Sequence, residues 1–145
     1  MTSFPIPARN NHWLRGVGYG FLAEFATVLS IILIVQVYSR ILAPGLDAAD
    51  FAGLGQRVGI IVGTVGGTIY TFFFARLLMR RLSDRFISHG LVVALTAITF
   101  SVAGSIAGHQ GVPSGYILAS ALKLAAGTLA GFLYSRSVSL NRNVV

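Results

Sequence analysis

The sequence predicts an all-α, polytopic membrane protein, with four transmembrane helices in a compact bundle and both termini cytoplasmic. Three observations lead there. Charged residues make up 10% of the 145-residue chain, against about 25% in an ordinary soluble domain. Mean hydropathy is +0.76. The apolar residues gather into four runs near 16–39, 55–78, 88–108 and 116–135, each long enough to cross a bilayer as a helix. Strands would cross in about 10 residues with strict alternation, a pattern that LSIILIV and YTFFFA do not follow.

The first run follows a short N-terminal tail, 1–13, in which Arg9 precedes the apolar stretch. Arg9 and Arg15 resemble the basic start of a cleaved signal peptide. Against that, the apolar part is too long and Val37-Tyr38-Ser39 makes a poor cleavage site. In the connection 40–54, Pro44-Gly45 marks a turn, and Asp47 is suited to cap a short interfacial helix through Phe51. The second run leads into a connection surrounded by Arg76, Arg80, Arg81 and Arg85. A tight polar turn around Pro113-Ser114 joins the third run to the fourth, and a tail follows at 137–145. No internal repeat is visible, so the whole of 1–145 reads as a single four-helix domain.

Charge placement sets the orientation. Arg9, Arg15, Arg76, Arg80, Arg81, Arg85, Arg136 and Arg142 all fall on one side of the four runs. Arg40 and Arg57, offset by Asp47 and Asp50, fall on the other. By the positive-inside rule the richer side is cytoplasmic. Trp13, Tyr38, Tyr116 and Tyr134 stand at run borders, where amphipathic rings prefer to lie. The net charge of +7 is therefore read as topology and not as a nucleic-acid surface, since it lacks a basic face interleaved with aromatics. Arg80, Arg81 and Arg85 additionally form a candidate site for lipid headgroups.

Small residues predict how the helices meet. The second run carries Gly55, Gly59, Gly63 and Gly67 at four-residue intervals, continued by Thr71 and Ala75, which is a glycine zipper. Helices in a bilayer associate through close packing and interhelical hydrogen bonds, and small residues permit both. Such a stripe serves packing within the chain or a seam with a second copy or a larger complex. The third run has a parallel stripe in Gly90, Ala94, Ala97, Ser101 and Ser105. The neighbouring Tyr70, Phe72, Phe73 and Phe74 read as lipid-facing bulk.

Two further stripes carry charges. Gly16, Gly20 and Glu24 share one face of the first run, and Lys123, Gly127 and Gly131 share one face of the fourth. A charge at membrane depth costs about 2.5–3.5 kcal/mol on insertion scales, so each needs a partner or a task. These runs are antiparallel, and eight residues, about 12 Å of helix, separate each outermost glycine from its charge. If Gly16 and Gly131 lie level, Glu24 and Lys123 meet, with the glycine stripes bringing the two backbones together around an ion pair. Arg57 is a second possible partner for Glu24 but starts near the opposite face.

Other chemistry finds little support. Zero cysteines exclude disulfides and thiolate sites. His12, His89 and His109 stand at run ends and read as interfacial, without the spacing of a haem or zinc site. Asp47 and Asp50 read as solvated carboxylates, and Ser, His and acid residues are too scattered for a triad. No enzyme, cofactor or metal is expected.

Gly18-Tyr19-Gly20-Phe21-Leu22-Ala23-Glu24 resembles the first helix of small multidrug resistance transporters. That resemblance implies a four-span dimer in which the first-helix glutamate exchanges protons for cationic substrates. This chain departs from that family in its length, in Lys123 and in lacking the aromatic substrate lining. The leading expectation is a non-enzymatic packing or accessory subunit that assembles with itself or with a larger membrane complex. The alternative is a small proton-coupled transporter or channel working through Glu24.

Overall fold

A computed structural model describes residues 12–45, 47–108 and 115–142, which form helices and connecting turns without a strand among the described residues. The helices are α1 (His12–Val37), α2 (Ala48–Ile61), α3 (Gly67–Met79), α4 (Phe86–Ala107) and α5 (Gly115–Arg142). A π-helical segment, Tyr38–Leu42, extends α1, and another, Val62–Gly66, joins α2 to α3 without a break. Four rods result, Trp13–Leu42, Ala49–Met79, Phe86–Ala107 and Gly115–Leu140, each long and apolar enough to cross a membrane.

Two boundaries differ from the sequence expectation, for local reasons. Asp47 does cap a helix: its backbone is extended (ψ 172°), and its Oδ1 accepts a hydrogen bond from the Asp50 N–H at 2.8 Å. The helix does not stop near Phe51, however. No proline follows, and the scattered glycines keep their backbone N–H groups in the helix, so α2 runs directly into the second rod. At the other end α5 continues to Arg142, so residues 137–142 of the tail are helical. There Ser135, Ser137 and Ser139 turn their hydroxyls back onto the carbonyls of Phe132, Tyr134 and Arg136, each at 2.8 Å. Arg9 and the Pro113-Ser114 turn lie outside the described residues.

The rods pack so that α1 lies against α3 and α4, α5 lies against α3 and α4, and α1 and α5 take opposite corners. A fully buried core of Ala75, Leu78, Met79, Val93 and Ala130 sits toward the end that carries most arginines, flanked by Tyr19, Phe72, Phe86 and Tyr134. Phe72 is therefore part of the packing and not outward bulk. Phe73, 54% exposed, does point outward.

The glycine stripes of α1 and α5 do not face each other; both face α4. A Cβ added at Gly16 would lie 2.9 Å from Val92 Cγ1, and one at Gly20 would lie 2.6 Å from the Val93 carbonyl oxygen. On the other side of α4, Gly127 presses backbone to backbone against Gly90, and a Cβ at Gly131 would lie 2.6 Å from Ile87 Cα. The helix between them has room for both because Gly90, Ala94 and Ala97 are small and buried. Small stripes permit close approach but do not choose the partner.

Candidate functional site

Glu24 and Lys123 do meet, across the long diagonal of the bundle. Lys123 Nζ donates to Glu24 Oε2 at 2.6 Å, with the two side chains 3% and 11% exposed respectively. The two outer glycines are not level: Gly16 packs on Val92 and Gly131 on Ile87, five residues and so about 7.5 Å apart along α4, and the long lysine stem spans that offset to reach Glu24.

The intervening helices make the contact possible. Lys123 must reach past α3, and its stem runs over Gly67: a Cβ there would lie 2.8 Å from Lys123 Cε and 3.4 Å from Nζ. Gly67 thus acts as a notch for the lysine. The fourth wall is α4, where Ser101 Oγ accepts from Lys123 Nζ at 3.4 Å, a longer and weaker contact. All four rods therefore converge on one ammonium group. Arg57 takes no part in the ion pair with Glu24.

Hydroxyl groups surround the pair but are satisfied mostly by their own helices. Thr27 Oγ1 donates to the Ala23 carbonyl at 2.9 Å, and Thr71 Oγ1 donates to the Gly67 carbonyl at 2.7 Å. Ser30 and Tyr70 share a hydroxyl–hydroxyl bond of 2.8 Å between α1 and α3. Tyr70 is accordingly a cross-helix tie and not outward bulk. The roles of Gly67 and Ser101 were hidden in the sequence, although both stood on the stripes. The available signal was that each stripe held one small or hydroxyl residue within reach of the charge level.

The second-run stripe divides in two. Gly67 is buried against Lys123, whereas a Cβ at Gly55, Gly59 or Gly63 would meet nothing within 4 Å. Half of that stripe serves the interior, and half forms an open face along α2.

Arg80, Arg81 and Arg85 are exposed around the turn between α3 and α4. His89 lies beyond them in the first turn of α4, at the rod end where the sequence put it, and is buried there. Its ring stacks on Trp13 with centroids 4.5 Å apart, and its Nδ1 lies 2.9 Å from the Arg85 carbonyl oxygen. The His12 side chain and His109 lie outside what the structure describes. Among the described residues no three His, Cys, Asp or Glu side chains gather as a metal site. Comparison with protein-family models, curated proteins and solved structures finds no match for this chain.

Proposed function

We propose that this chain is a multi-pass membrane protein that serves as a non-enzymatic packing or accessory subunit, associating with a second copy or a larger membrane complex along the outer part of α2. The outward display of apolar side chains, such as Ile61 at 64% and Ile117 at 76% exposure, supports the membrane setting, because a soluble monomer rarely shows so large an apolar surface. Its orientation follows the arginines, with the arginine-rich end cytoplasmic. The observation that carries the assembly reading is the stripe of Gly55, Gly59 and Gly63, half-buried and with nothing among the described residues within 4 Å of an added Cβ. In this reading Glu24 and Lys123 hold the bundle together and fix which helices are diagonal.

Gentle purification and photobleaching counts in bilayers test the assembly. The wild type runs as a defined oligomer or with a stoichiometric partner. Gly59→Ile weakens that association by at least about tenfold, roughly 1.4 kcal/mol; an added Cβ there meets nothing within 4 Å, and the helical circular dichroism of the variant checks that the fold is kept. A wild type that is monomeric and partner-free sinks the reading.

One observation favours a proton-coupled transporter or channel as a second reading. The π-helical segment Val62–Gly66 lies immediately before Gly67, beside the ion pair, and such segments are frequent at functional sites. In that case Glu24 carries the proton or cation, and Lys123 governs its charge state. Reconstituted liposomes separate the two readings: proton or cation flux that depends on Glu24 supports transport and overturns the purely structural role.

A further inference from the structure

Among the eleven lysine and arginine residues of the chain only Lys123 is a lysine, and among the described residues it is the one that is buried in the bundle. Every basic residue at the ends of the rods is an arginine. Membrane orientation asks only for positive charge, which lysine supplies as well as arginine. A phosphodiester does distinguish them, because the planar guanidinium offers paired donors that match two phosphate oxygens, and the ammonium offers a point charge.

The turn between α3 and α4 concentrates this chemistry. Arg80, Arg81 and Arg85 are all exposed there, and Asp84 is the one acid in the turn. Asp84 Oδ2 lies 4.0 Å from Arg85 Nε with both side chains at least 70% exposed, too long and too wet to occupy the guanidinium. The backbone adds an independent observation. Arg85 has φ +51°, in the left-handed region, and makes no side-chain capping bond to α4. A glycine adopts that conformation without a Cβ clash, so an arginine held there points to a task for its side chain. Trp13, 46% exposed, flanks the same end of α4 by stacking on His89, one turn beyond Arg85.

We propose that the α3–α4 turn binds the headgroup of an anionic phospholipid. The guanidinium forks of Arg80, Arg81 and Arg85 hold the phosphodiester, and the acyl chains lie along the apolar start of α4 beside Trp13. This inference rests on the membrane reading above and is independent of the assembly and transport readings.

Trp13 is the sole tryptophan and reports directly on its lipid neighbours. The full chain is reconstituted in phosphatidylcholine vesicles containing either brominated phosphatidylglycerol or brominated phosphatidylcholine at equal mole fraction. Quenching then gives a relative binding constant of about fivefold or more in favour of phosphatidylglycerol, the gain of roughly one well-placed basic contact. The triple variant Arg80→Lys, Arg81→Lys, Arg85→Lys keeps every charge and brings that ratio toward unity. Arg85→Gly, which relieves the backbone, lowers it as well, and Trp13 emission in plain phosphatidylcholine checks that each variant is folded. Equal quenching by the two lipids in the wild type overturns the proposal, as does a triple-lysine variant that keeps the full preference. Absence of quenching by either lipid removes the membrane reading and takes this inference with it.

Discussion

Lys123 links three other helices, since its ammonium bonds Glu24 on α1 and Ser101 on α4 and its stem lies in the notch at Gly67 on α3. Removing one member of such a pair strands the other away from water, a loss of about 3–5 kcal/mol. Removing both together leaves no stranded charge. Glu24→Gln and Lys123→Met should therefore each lower thermal stability in detergent by several kcal/mol, and the double variant should lose less than either single one. A double-mutant cycle on the melting curves measures this coupling, and additive losses would show the two groups acting separately. That two opposite charges on small-residue stripes of antiparallel helices need each other was legible in the sequence, but the level glycines on which the spacing argument rested are offset along α4. The notch was not legible, because a glycine in a repeating stripe carries no mark that separates a groove for a lysine stem from a contact with another backbone.

At the scale of the helices, the same residue type plays opposite parts. Gly20, Gly127 and Gly131 sit against α4 backbone atoms, while Gly55, Gly59 and Gly63 face open space. Alanine should destabilise the first group, because two backbones must part to admit a Cβ, with overpacking losses of about 1–3 kcal/mol for Gly20→Ala or Gly127→Ala. In the second group alanine should be neutral or stabilising by about 0.5–1 kcal/mol in the isolated chain, from helix propensity alone. Thermal unfolding of the monomeric protein reads the sign at each position. The hydropathy runs located the rods well, because apolar length is a property of each segment alone. They could not say that α4 receives both charged-helix stripes, since that depends on which faces the other helices leave free. Several helix ends were legible to within one or two residues from the apolar runs alone, as at Met79, Phe86, Ala107 and Gly115, and the cap at Asp47 marked another start. The end of α5 was not, because serines after Phe132 simply prolong the turn pattern to Arg142.

For the molecule as a whole, the arginines divide its two ends: Arg15, Arg80, Arg81, Arg85 and Arg136 are exposed at one, and Arg40 and Arg57 are balanced by Asp47 and Asp50 at the other. The absence of native cysteine makes the orientation directly measurable. In intact cells Pro44→Cys should react with a membrane-impermeant maleimide, and Ser83→Cys should react only after permeabilisation; the reverse pattern would invert the topology. The ion pair also has a consequence in time. Its partners stand 99 residues apart, so the helix that carries Glu24 is synthesised well before the one that carries Lys123. Until synthesis has passed Lys123, the carboxylate of Glu24 is without this partner. A chain truncated before Lys123 therefore lacks the partner that the full bundle gives that carboxylate.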